Sequence, residues 1–225
     1  MKSGLAARCS QSMLIVGAER VCVIRRFDNL QCSVGKREAV MAVEKLDLRS
    51  IWEGGKTYAA WLEASTNARL KEDLEKSYSE VKLSPDDSQL LKLIDRPVHV
   101  LALAEDWCGD VRRNTPVVAK MCAEKPDLLR LRVVDKETRP QLMVRYLTNG
   151  AEAIPIIVFL NDAFVEVGYW GPRPAECKRL MARGKAAGKI DDARERIHAF
   201  YTKDQHLSTI RELRGLFTMA AAKEV

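Results

Sequence analysis

The sequence predicts an α/β protein, with a central mixed sheet flanked by helices and extra N-terminal and C-terminal helices. Three observations carry this reading. Pro97 to Ala104 runs Pro-Val-His-Val-Leu-Ala-Leu-Ala, a nearly continuous apolar stretch that suits a central strand buried on both faces. Leu128 to Val134 sets Leu129, Leu131 and Val133 against Arg130 and Arg132, the two-residue period of a second strand. Ile156 to Leu160 and Phe164 to Tyr169 are two further strands joined through Asn161-Asp162, a hairpin-like turn. With helical segments between them, the order strand, helix, strand, helix, strand, strand, helix gives parallel pairs and an antiparallel edge hairpin.

Along the chain, residues 1–40 show no sustained helical period, and a strand from Arg20 to Phe27 can be built but is not demanded. They fit a disordered basic arm, a targeting segment, or an upstream extension with Met41 as the working start. Their Arg-rich, acid-poor composition leans faintly toward organelle import. The simplest expectation is little structure and no chemistry. From Thr57 to Val81, Tyr58, Trp61, Leu62, Leu70, Leu74 and Tyr78 fall mostly at three- and four-residue steps, the pattern of one amphipathic helix. Ser84-Pro85-Asp86-Asp87 supplies an N-cap, a proline at the first helical position and acids in the first turn. The short helix Asp86 to Ile94 then ends before Pro97. Asp110 to Ala123, Arg139 to Leu147 and Pro174 to Arg183 read as the helices of the sheet region. Ile190 to Tyr201 and His206 to Ala221 read as two more.

Composition sets outer limits. The 225 residues, 47% hydrophobic and 30% charged, are those of an ordinary globular protein. No apolar run reaches membrane-span length, and Ala153 to Asn161 is strand-sized; a membrane protein is excluded. Of the net charge of +6, seven cations against three anions in residues 1–40 account for +4. The basic balance therefore belongs to the arm and is poor support for a nucleic-acid-binding body.

The six cysteines, at 9, 22, 32, 108, 122 and 177, form no Cys-x-x-Cys pair and no zinc-ligand pattern. With no convincing signal peptide, reduced thiols in a cytoplasm are the better reading. His99 falls inside a strand and is expected to be packed; His198 and His206 fall on expected helices with no ligand at metal spacing. No phosphate-loop, nucleophile-elbow or metal-hydrolase motif occurs.

Cys108 stands apart. In the element order it lies at the C-terminal end of the first core strand and the N-terminus of the next helix. Free N–H groups and the helix dipole favour an anion there, so the thiol ionises more readily. Trp107 and Gly109 allow a sharp, exposed turn with an apolar flank. Glu105-Asp106-Trp107-Cys108-Gly109 is similar to the thioredoxin active-site approach. Pro116, eight residues later, sits where thioredoxins carry a helix-kinking proline. Ile154-Pro155 before a strand resembles their cis-proline segment, and Trp170-Gly171 their substrate-contacting glycine loop. The likeness covers roughly residues 95–184.

This resemblance implies a thioredoxin-like fold. Residues 46–225 would form the domain, with its core at about 95–184 and appended helices at 57–94 and 190–221, behind a basic extension at 1–45. It implies a cis bond at Ile154-Pro155, whose turn exposes backbone groups to an extended substrate. It also implies a docking groove formed by Trp107, Gly109, Ile154, Pro155 and Gly171, with Cys108 catalytic and no metal or other cofactor. Three departures matter. Val111 replaces the second active-site cysteine, so no internal disulfide can form there. Ala102 stands where thioredoxins place a buried acid. Asp110 replaces the motif's proline and opposes ionisation of the thiol. Arg112 and Arg113 push the other way and could attract an anionic substrate such as glutathione, although paired arginines are commonly a solvated helix face.

Cys122 lies fourteen residues along the same helix, about 21 Å at 1.5 Å per residue and beyond disulfide reach. Cys177 reads as buried filler, and Cys9, Cys22 and Cys32 could serve only by swinging in from a mobile arm, so a resolving thiol from another molecule is the better expectation. Two readings follow. One is monothiol thiol-disulfide exchange through Cys108 on protein disulfides or glutathionylated thiols, with an external thiol, glutathione among the candidates, releasing it. The other is a non-catalytic peptide- or protein-binding module. A glutathione-bridged iron–sulfur carrier is disfavoured, because monothiol glutaredoxins resemble Cys-Gly-Phe-Ser rather than Cys-Gly-Asp-Val.

Overall fold

The structure, a computed structural model, describes residues 46–222 and the strand residues 15–16 and 19–20. The chain divides into two units, Met1–Val43 and Glu44–Val225. In the first, β1 (Ile15–Val16) and β2 (Glu19–Arg20) pair antiparallel, Ile15 opposite Arg20. Cys9, Cys22, Cys32, Met41 and the rest of the Arg20 to Phe27 segment lie outside the described residues.

The second unit opens with α1 (Leu48–Glu53), capped by the Asp47 carboxylate on the Ser50 N–H. Next comes β3 (Lys56–Thr57), a two-residue strand too short to leave a period in the sequence. The single helix expected from Thr57 to Val81 is two helices, α2 (Tyr58–Glu63) and α3 (Ala68–Glu80). The cause is the Ser65-Thr66-Asn67 run. Asn67 accepts from the Leu70 N–H as an N-cap, and the Ser65 hydroxyl bonds Asp106, so these side chains compete with helical pairing. Beyond them, α4 (Pro85–Leu93) starts at the Ser84 cap as its sequence requires.

The core strands follow the apolar pattern. β4 (Val98–Leu103) is buried along its whole length. It is followed by α5 (Gly109–Cys122), β5 (Leu129–Val134), α6 (Pro140–Arg145), β6 (Ile156–Leu160), β7 (Glu166–Trp170) and α7 (Ala175–Ala186). Two helices, α8 (Ile190–Asp204) and α9 (Leu207–Ala221), complete the unit. The sheet runs β3-β5-β4-β6-β7, with β4 and β5 parallel and its other pairs antiparallel. Two strands of unbroken burial at the centre, β4 and β6, follow from helices covering the sheet on both faces.

The appended helices are part of the core rather than additions to it. Phe217 of α9 is fully buried and meets Phe159 of β6 edge-on, with ring centroids 4.9 Å apart. Arg214 of α9 pairs with the buried Asp87 of α4 at 3.0 Å. Cys177, Ile197 and Tyr201 form a smaller cluster between α7 and α8. Gln205 and His206, both in the left-handed region, make the corner before α9, so His206 is not helical as expected.

His99 is packed, as its place in the strand suggested. Its ring stacks on Phe164 at 3.9 Å and meets Trp52 edge-on at 4.7 Å, with Nδ1 buried and without a hydrogen-bond partner among the described residues. Burial, with Arg130 and Arg49 nearby, pushes its pKa down to about 4, against the weaker pull of Asp162. A lowered pKa on a base means that the unfolded chain binds the extra proton first. Stability should therefore fall as pH drops below about 6.5 toward 4, with a loss of about 2 kcal/mol from this residue between pH 7 and pH 4.5. Urea midpoints at the two pH values would show this loss in the wild type and a smaller one in His99→Gln.

Candidate functional site

Cys108 is the residue preceding α5. Its own N–H donates to the Glu105 carbonyl at 3.1 Å, and its carbonyl accepts the first helical bond, from Arg112, at 3.0 Å. The N–H groups of Gly109, Asp110 and Val111 therefore precede the helix's own bonding and concentrate partial positive charge beside the sulfur. The half-buried thiol donates to the Ile154 carbonyl, with Sγ and O 3.6 Å apart. This places Cys108 against the backbone immediately before Pro155. The Ile154-Pro155 and Gly171-Pro172 bonds are both cis. Trp107, which precedes Cys108 in the chain, is 57% exposed, while Ile154 is buried.

Gly171 closes the same corner. Its φ is +134°, and a Cβ there would lie 2.0 Å from the Pro155 carbonyl oxygen. No side chain fits, so the two loops touch backbone to backbone. The loop around it is held from several directions. The Trp170 indole N–H donates to Glu212 at 2.7 Å, and the other Glu212 oxygen accepts from the Ala175 N–H at 2.8 Å. The Lys178 ammonium donates to the Gly171 carbonyl.

Sequence reasoning missed two residues here, Asn114 and Arg173. Asn114 is fully buried on α5. Its amide donates to the Asp110 carbonyl, the Pro172 carbonyl and the Tyr201 hydroxyl, and its oxygen accepts from the Thr209 hydroxyl. Arg173 grips Asp110 at both oxygens, Nε to Oδ1 at 2.9 Å and Nη2 to Oδ2 at 2.5 Å, a largely buried fork. Burial opposes the Arg173 charge, but its hydrogen bond to Asp110, together with the pull of that carboxylate and of nearby Tyr201 and Cys177, outweighs burial and raises its pKa. No local pattern marks either residue, because all their partners except the Asp110 carbonyl on Asn114 lie 58 to 95 positions away.

The remaining expected site residues are placed as follows. Arg112 pairs with Asp73 of α3 at 2.9 Å, and Arg113 lies over the Tyr201 ring at 5.4 Å, so both lie against other parts of the fold. Val111 and Ala102, at the positions where thioredoxins carry a second cysteine and a buried acid, are fully buried apolar side chains. Cys122 and Cys177 are buried, and desolvation raises both thiols, Cys177 to about 12. Among the described residues no group of His, Cys, Asp and Glu is arranged to hold a metal ion, and no helix is long and apolar enough to cross a membrane.

The Arg173 fork predicts an effect on the sulfur. Arg173→Ala should leave the Asp110 charge uncompensated within a turn of Cys108 and slow its alkylation by iodoacetamide at pH 7 by about threefold to tenfold. Asp110→Asn added to that variant should restore the rate, as followed by mass spectrometry of the Cys108 peptide. An unchanged rate would make the fork purely structural.

No curated protein matches the chain. A crystal structure of a protein of unknown function from Pseudomonas aeruginosa superposes with a TM-score of 0.57 at 18% identity, covering 76% of this chain and 96% of that one. An HIV epitope scaffold superposes with a TM-score of 0.58 at 19% identity, with the same coverage. At these identities the likeness shows the fold. The family model described as thioredoxin matches residues 55–194, more than half of the chain and inclusive of the Cys108 turn, Pro155 and Gly171. By that match, this chain belongs to the thioredoxin-like family.

Proposed function

We propose that the protein performs monothiol thiol-disulfide exchange through Cys108. The observation that carries the reading is the Cys108 sulfur, half-buried at the first turn of a 14-residue helix and 3.6 Å from the Ile154 carbonyl. The Cys108 thiolate attacks one sulfur of a substrate disulfide or glutathionylated thiol. The Cys108 S–S bond forms, the substrate S–S bond breaks, and the second sulfur leaves as a thiolate that takes a proton from water. An external thiol, with glutathione as the candidate, then attacks the mixed disulfide and releases Cys108. Trp107, Gly109, Ile154, Pro155 and Gly171 form the docking surface, and Asp110, Arg112 and Arg113 set the charge around the sulfur. Support for an external thiol is that Val111 stands where a second cysteine would and that Cys122 and Cys177 are buried.

In the same reading the protein works in the reducing cytoplasm without a cofactor, and residues 1–45 are an extension to the domain at 46–225. A second reading is favoured by the apolar burial of both Ala102 and Val111. In that case the fold persists as a binding platform and the thiol is incidental.

The two readings separate in a background carrying Cys9→Ser, Cys22→Ser and Cys32→Ser. Under exchange, Cys108 should react with 5,5′-dithiobis(2-nitrobenzoate) at least about tenfold faster than free cysteine at pH 7. Cys108→Ser should abolish that phase, and trapping of substrate proteins should require Cys108. A rate no faster than free cysteine, with partner binding unchanged in Cys108→Ser, would leave only the platform.

A further inference from the structure

The residue after Cys108 opens a niche walled by two guanidinium groups. Gly109 has no side chain there. Beyond its chain neighbours and its own helix backbone, a Cβ at that point would meet only the Arg113 Nη1 at 3.6 Å and the Arg112 Nη2 at 4.0 Å. These arginines stand three and four residues further along α5, and helical side chains lean toward the N-terminus, so both reach back over the first turn.

The two arginines differ in what else they hold. Arg112 gives Nη1 to Asp73 of α3 at 2.9 Å, which leaves Nη2 on the side of the niche. Arg113 lies over the Tyr201 ring at 5.4 Å and has no carboxylate partner among the described residues. Burial raises the Tyr201 phenol, so that ring stays neutral and supplies no counter-charge.

The acids of the neighbourhood are already engaged. Asp110 is gripped by Arg173, Asp106 accepts from the Ser65 hydroxyl, and Glu105 accepts from the Glu137 N–H at 3.4 Å. Asp204 and Glu80, which act with Arg113 on the His206 ring, are held by Ser208 and by Lys76. Arg113 is therefore a cation without an acid of its own, facing a gap beside a nucleophile.

We infer that this niche is an anion subsite that selects disulfides carrying a carboxylate close to the attacked sulfur, with Arg113 as the specificity-determining residue. The inference rests on the exchange reading proposed above. Consecutive Cα atoms are about 3.8 Å apart, so a carboxylate over Gly109 and a sulfur at Cys108 are separated by only a few bonds of the substrate. The carboxylate pairs with the guanidinium while the Cys108 thiolate attacks. A bond forms from Cys108 to the carboxylate-bearing half, the substrate S–S bond breaks, and the other half leaves as a thiolate that takes a proton from water. Two sources supply this chemistry, a glutathionyl group and an acidic residue next to a protein cysteine.

The test compares 3,3′-dithiodipropionate with the neutral bis(2-hydroxyethyl) disulfide on the full chain carrying Cys9→Ser, Cys22→Ser and Cys32→Ser, following the Cys108 adduct by mass spectrometry. Each rate is divided by that of 2-mercaptoethanol with the same reagent, which removes the intrinsic difference between the two disulfides. The resulting anion-to-neutral ratio should be about ten. Arg113→Gln should bring it near one, and Arg113→Lys should keep part of it. Gly109→Ala should lower it as well, since its methyl group fills the niche at ordinary contact distances. Both reagents draw on the same thiolate, so a change in Cys108 ionisation cancels from the ratio. Glutathione disulfide against its ethyl ester, and an oxidised Asp-Cys peptide against its Asn-Cys counterpart, then separate the two sources; the larger fall on removing the charge marks the one selected. A ratio near one in the starting protein, or one left unchanged by both Arg113→Gln and Gly109→Ala, would overturn the inference. A ratio of ten at a Cys108 no faster than free cysteine would instead fail the exchange reading and keep the subsite, so the two failures are told apart.

Discussion

The backbone contact between Gly171 and Pro155 sets the geometry of the whole corner. The loops before β6 and after β7, at the open end of the β6–β7 hairpin, meet so closely that a methyl group at position 171 would lie 2.0 Å from the Pro155 oxygen. Ile154, one residue back, is thereby held where its carbonyl faces the Cys108 sulfur. Nothing in the loop itself would enforce this. The constraint comes from Glu212, which takes both the Trp170 indole and the start of α7, and from Asn114, which takes the Pro172 carbonyl from below. The C-terminal helices thus act on the corner directly: α9 supplies Glu212 and Thr209, and α8 supplies Tyr201.

The electrostatics around the corner follow from what is missing as much as from what is present. Ala102 puts no carboxylate beneath the sulfur, so the folded chain avoids the cost of burying an acid. The acid that does stand near, Asp110, is spread into a two-bond fork with Arg173. Within that fork the two charges offset each other, while Arg112 and Arg113 beside Gly109 and the first N–H groups of α5 add positive potential near the sulfur; the part due to the N–H groups is a backbone field. That field is fixed by backbone geometry and does not depend on a titrating neighbour.

How much of this was legible in the sequence depends on how locally each feature is determined. β4, β5 and β6 were legible because burial on one or both faces forces an apolar pattern over five or six residues. Cys108, Ile154-Pro155 and Gly171 were singled out by their resemblance to thioredoxin motifs in the same order along the chain, and the structure places Cys108 against Ile154 and Gly171 against Pro155. The break between α2 and α3 was written in Ser65-Thr66-Asn67 yet outweighed by the helical spacing on either side, which continued in phase. β3 left no trace, since two residues carry no period. Asn114 and Arg173 looked like any polar residues, because what makes them structural is the convergence of α5, α8, α9 and the 170–175 loop on one point.

That convergence also bears on how the corner could change in use. A substrate strand pairing beside Pro155 would have to displace the Cys108 thiol from the Ile154 carbonyl, a weak sulfur hydrogen bond at 3.6 Å and the least costly bond in the neighbourhood to break. The Asn114 network and the Arg173 fork lie behind the turn and need not move. The surface groups that would meet a partner, chiefly Trp107, are already exposed. A rigid back wall with one loosely held sulfur in front requires little reorganisation on docking, and that economy holds whether the partner is then bonded covalently or merely bound.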